Sequence, residues 1–72
     1  MASIIGKGLL KPYSQTVVLS EPVPVAELPE LMKVPEEYRE NIIAVRDGKV
    51  LSLDNLLNDG DEILVFVSVM GG

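Results

Sequence analysis

Cysteine and histidine are both missing from these 72 residues. Their absence excludes disulfides, Cys/His zinc sites and Cys- or His-based nucleophilic catalysis. No side chain here can carry a persulfide. Tryptophan is also missing, and the aromatics are only Tyr13, Tyr38 and Phe66. The core therefore has to be aliphatic, made of Val, Ile and Leu. Positive charge is scarce: 6 Lys and Arg face 11 Asp and Glu, for a net charge of −5. With no basic run, the chain repels phosphate backbones and no nucleic-acid partner is expected. Long apolar stretches are missing too, so nothing here spans a membrane and no membrane partner is expected. No basic region precedes "MASIIGKGLL", and two glycines interrupt it, which argues against a signal peptide. The expected location is the cytoplasm.

What is present suffices for a small fold. Hydrophobic residues make up 47% of the chain, enough for a core and too many for a disordered segment. The length allows one domain, residues 1–72, which on folding buries only about 60% of its unfolded surface.

The first expected strand is residues 3–11, with Gly6 and Gly8 as weak points. "KPYS" (residues 11–14) reads as a turn, and β-branched residues 15–19 as a second strand, giving an N-terminal hairpin. Val25, Leu28, Leu31 and Met32 fall at helical spacing. Pro29 is tolerated only in a first turn, so this helix starts near Leu28 or is kinked, and Pro35 marks its end. Glu36, Glu37, Arg39 and Glu40 read as a charged, solvated connector. Residues 41–45 form a third strand, Asp47-Gly48 a tight hairpin turn and residues 49–53 a fourth strand. Residues 54–57 read as a turn or one helical turn, 58–61 as a tight loop, and 62–70 as the last strand. One helix must then cover one face of one sheet, an α+β roll.

The last third of the chain, "VRDGKVLSLDNLLNDGDEILVFVSVMGG", resembles the MoaD/ThiS sulfur-carrier family of small ubiquitin-like proteins. Four elements carry the likeness: the Asp47-Gly48 turn, Leu57 before the loop "NDGDE", the apolar strand over residues 63–69, and the final Gly71-Gly72. The resemblance implies a β-grasp fold, a mixed sheet of about four to five strands with one main helix. It implies a protein cosubstrate rather than an enzyme, with no catalytic residue and no bound cofactor. In such proteins an activating enzyme related to ubiquitin-activating enzymes uses ATP to adenylate the terminal carboxylate, here that of Gly72. Conversion to a thiocarboxylate follows, and the sulfur passes to an acceptor synthase making molybdopterin, the thiamine thiazole, cysteine or a thiolated tRNA base. The free protein is expected to be a monomer.

The residues suit that chemistry. A main-chain carboxylate is anionic at neutral pH and needs no base before attacking the α-phosphate of ATP. Glycine, lacking Cβ, lets the backbone of Met70, Gly71 and Gly72 approach closely inside a narrow partner channel. Two terminal glycines arise by chance in about 0.5% of chains, given a glycine usage of about 7%. Along the last strand, alternation sends Ile63, Val65, Val67 and Val69 toward the helix and Leu64, Phe66 and Ser68 to the open face. Leu64 and Phe66, an apolar pair on an open face, are expected to dock the partner. The expected partner-contacting set is Leu64, Phe66, Ser68, Val69, Met70 and Gly71. The carboxylates of "NDGDE" lack calcium-loop spacing, so no metal site is expected. A tight turn with Gly60 at positive φ explains them better. Two other classes remain open: a ubiquitin-like modifier that forms isopeptide bonds through Gly72, and a plain interaction module.

Overall fold

The computed structural model describes residues 1–68. Five strands form one mixed sheet: β1 (Ala2–Gly6), β2 (Gln15–Val17), β4 (Ile42–Arg46), β5 (Lys49–Val50) and β7 (Glu62–Val67), in the spatial order β2-β1-β7-β4-β5. β7 lies at the centre, parallel to β1 and antiparallel to β4. β3 (Val23–Pro24) and β6 (Leu56–Leu57) form a separate antiparallel pair. A 3-10 turn over Val25–Glu27 leads directly into α1 (Leu28–Met32), and α2 (Glu36–Arg39) follows after Pro35. This is the expected β-grasp arrangement.

The core lies between one face of the sheet and α1. Ile4, Ala44, Ile63 and Val65 from the sheet meet Leu10, Val25, Leu28, Met32, Val34 and Leu57, all buried. Burying each of the large aliphatic side chains contributes about 1.5–3 kcal/mol, and a chain this small has few of them. Ile63 and Val65 are fully covered because β7 is flanked by strands on both sides and capped by the helical layer. Val67, the third of the inward set, is half-buried against the same cluster.

Pro29 sits at the N-terminal end of α1, where its missing N–H has no intrahelical partner, so the late start near Leu28 is observed. α1 stops at Lys33, whose φ of 59° closes the helix in a left-handed cap before Pro35. The Asp47-Gly48 turn has positive φ at both residues (54° and 78°), the signature of the type I′ hairpin.

Several elements differ from the sequence expectations. β1 ends at Gly6 instead of residue 11, and Gly8–Tyr13 form a 3-10 helix where a strand end and tight turn were expected. A Cβ at Gly6 would stand 1.9 Å from the Leu10 carbonyl oxygen, so the chain folds back over Gly6 and drives Leu10 into the core. Ser14 Oγ accepts the Gly6 N–H at 2.9 Å and secures this crossing. β1 and β2 are still antiparallel neighbours, as a hairpin requires. β2 ends at Val17, and the Leu19 N–H goes instead to Asp59 Oδ1 at 3.1 Å. The expected connector over residues 36–40 contains the single helical turn α2. Residues 56–57, read as a turn, form β6, because Leu57 is an anchor of the core. β5 is only two residues long, although the Leu51 N–H still reaches the Ala44 carbonyl at 2.8 Å. β7 ends at Val67; the Ser68 N–H extends the pairing to the Asn41 carbonyl at 2.7 Å.

Candidate functional site

The open face of the sheet carries an apolar stripe set by register. Residues opposite one another in adjacent strands share a face. Leu64 lies between Ile5 of β1 and Val45 of β4, and Phe66 lies opposite Ile43. Val45 is in turn opposite Val50 of β5. The stripe thus crosses four adjacent strands, β1-β7-β4-β5. Alternation places it on the side away from Ile4, Ala44, Ile63 and Val65, the core-facing set. Ile5, Ile43, Val45 and Leu64 are half-buried by their neighbours, while Phe66 is 36% and Val50 72% exposed.

Leu64 and Phe66 therefore lie on the open face as alternation requires. Ser68 follows on the same strand line, half-buried and held to Asn41 through its N–H. Val69, Met70, Gly71 and Gly72 lie outside the described residues. Sequence reasoning missed Ile5, Ile43, Val45 and Val50. Alternation within "NIIAV" separates Ala44 from Ile43 and Val45, but only pairing with β7 places the latter two beside Leu64 and Phe66.

The loop before β7 is held by its carboxylates. Asp61 Oδ2 accepts from Arg46 Nη1 at 2.7 Å and from the Asn58 N–H at 2.8 Å. Arg46 Nη1 also donates to the Leu56 carbonyl at 2.9 Å, joining β4, β6 and the start of β7. Asp59 accepts from the Leu19 N–H and lies 3.3 Å from the Met1 ammonium. The Leu19 N–H first, and the ammonium second, hold its carboxyl below the ordinary carboxylate value of 3.8. Gly60 has φ 95°, as expected of a tight turn. These acids brace the strand that leads to the chain's last residues.

A family model described as the ThiS family matches residues 7–72. The chain belongs to the ThiS family. No curated protein matches it. ThiS family proteins are small carriers of sulfur rather than catalysts, acting with an adenylating enzyme and a synthase. The sequence likeness lies in the last third of the chain, whereas the family match begins at Lys7 and takes in the 3-10 helix, the helical layer and the open face of β7, β4 and β5, leaving out β1. Among the described residues, no helix is long and apolar enough to cross a membrane.

Proposed function

We propose that this ThiS family protein carries sulfur on the carboxyl carbon of Gly72. The single observation behind this is the family match running through Gly72, onto which the central strand β7 leads. A carboxylate oxygen of Gly72 attacks the α-phosphorus of ATP, the bond to the β-phosphate oxygen breaks, and pyrophosphate leaves. A sulfur nucleophile at the sulfide level then attacks the acyl carbon and expels AMP, leaving a thiocarboxylate. The sulfur passes to an acceptor in cofactor biosynthesis, molybdopterin or the thiamine thiazole. With no cysteine in the chain, this carbon is the one place where the carried sulfur is bound covalently. Gly71 and Met70 thread the partner channel, and Leu64, Phe66, Ser68 and Val69 contact the partner around its mouth. The chain acts as a cosubstrate in the cytoplasm and brings no cofactor of its own.

Deletion of Gly72, or one residue added after it, abolishes ATP–pyrophosphate exchange by the adenylating enzyme while the amide spectrum of residues 1–68 stays unchanged. Exchange that survives the deletion sinks the reading. In the presence of a sulfur donor, the mass of the free protein rises by one sulfur-for-oxygen exchange. Stable adducts on lysines of other proteins point instead to a ubiquitin-like modifier.

A further inference from the structure

A cleft of about 300 Å³ opens on the helical side of the sheet, opposite the apolar stripe. Val25 in the 3-10 turn, Pro29 in the first turn of α1, Ile42 at the start of β4 and Leu53 from the loop before β6 form its apolar wall, with Arg39 and Glu40 at the end of α2. Three observations indicate what it accepts.

The first is position. Ile42 lies opposite Val67 in the β4–β7 register, and Asn41 accepts the Ser68 N–H. The cleft therefore opens beside the point where the described chain leaves the sheet. A protein that receives residues 69–72 has to cover this end of the molecule. The second is charge. Glu40 and Arg39 both line the cleft, and Glu36 and Glu37 precede them on α2; all four are exposed, and Arg39 Nε donates to the Val34 carbonyl at 2.9 Å. The segment 36–40 beside the cleft thus presents three carboxylates and one guanidinium, on a chain of net charge −5, and complements a cationic surface. The third is the edge of the wall: Leu53 is 63% exposed and Ala26 is exposed beside it, so an apolar side chain entering the cleft finds apolar surface that water now covers.

We propose that this cleft is a second docking site for the adenylating partner, which inserts one apolar side chain flanked by Lys or Arg. This rests on the carrier reading above. The partner then grips both faces of the sheet end, the stripe around Leu64 and Phe66 on one side and the cleft on the other, with the tail between them. Two grips fix the direction in which the tail enters the partner better than one face alone.

The test measures binding of the full chain to the purified adenylating enzyme without ATP, at low and high salt. Leu53→Ser and Ala26→Arg change exposed positions at the cleft edge, and Glu40→Lys reverses a rim charge. The cleft variants are expected to weaken Kd about tenfold, mainly through faster dissociation. Glu40→Lys is expected to slow association, with the difference shrinking as salt rises. Should one variant disturb the amide spectrum, the other two carry the comparison. Wild-type binding kinetics in the folded variants overturn the proposal. The Gly72 deletion runs in parallel: pyrophosphate exchange that persists without Gly72 overturns the carrier reading, whatever the cleft variants do. Exchange lost on deletion, combined with wild-type affinity in the cleft variants, removes the cleft alone.

Discussion

The guanidinium of Arg46 and the carboxylate of Asp61 meet at 2.7 Å, each half-buried, at the junction of β4, β6 and the start of β7. Asp61 also terminates the Asn58 N–H, so the pair sets where the loop ends and the central strand begins. Replacing Arg46 by Ala is expected to cost about 1–2 kcal/mol in urea unfolding, less than a fully buried pair because water reaches both groups. A double-mutant cycle with Asp61→Asn is expected to return a coupling of about 0.5–1.5 kcal/mol. A coupling near zero means the two groups act independently of each other.

Gly6 is required for a different reason. The Leu10 carbonyl oxygen occupies the place of any Cβ at position 6, so Gly6→Ala forces β1 and the following 3-10 helix apart. The expected loss is about 1–3 kcal/mol or more, with Leu10 protection from hydrogen exchange reduced. Nothing lies within 4 Å of a Cβ at Gly8, so Gly8→Ala pays only for its left-handed backbone (φ 57°), about 1 kcal/mol. Equal losses for the two variants contradict the packing seen at Gly6.

On the open face, Leu64→Asp and Phe66→Asp remove apolar surface without touching the core cluster. Both variants are expected to keep the amide spectrum of the folded protein. Adenylate formation, followed as pyrophosphate exchange at subsaturating protein, is expected to fall tenfold or more, as for the loss of a central interface anchor of about 1.4 kcal/mol. Val50→Asp, at the outer end of the stripe, is expected to have a smaller effect. Unchanged exchange in both Leu64 and Phe66 variants places the partner surface elsewhere.

Asp59 makes acid stability dependent on the N-terminal segment. Its folded carboxyl titrates below 3.8 because the Leu19 N–H, and then the Met1 ammonium, favour the charged form. A depressed carboxyl contributes stability that is present above the unfolded value and is lost as pH falls through the folded one. The urea midpoint of the wild-type chain is therefore expected to drop more steeply than that of Asp59→Asn as pH falls below about 4. Salt is expected to narrow the gap, because both ends of the ammonium contact are exposed. Parallel pH profiles would show that Asp59 is not linked to folding.

Much of the architecture was legible because local chemistry and global fold agree. Asp47-Gly48 announces a type I′ turn whatever surrounds it, since both residues must take positive φ. Pro29 and Pro35 bracket α1 through the donor and backbone region that proline removes. Alternation along β7 sorted Ile63 and Val65 from Leu64 and Phe66, because a half-buried strand repeats every two residues.

Other features depend on contacts between segments distant in sequence, and only the tertiary structure decided them. Residues 8–13 read as strand and turn, yet the close passage of Leu10 over Gly6 winds them into a 3-10 helix. Leu56–Leu57 read as a turn, yet the burial of Leu57 pairs them with Val23–Pro24. Placing β7 between β1 and β4 brought Ile5, Ile43 and Val45 beside Leu64 and Phe66, and set the cleft under Ile42 next to the exit of the chain. The physical reason is that periodicity along a strand specifies which side chains share a face, whereas register between strands specifies which of those faces join into one surface.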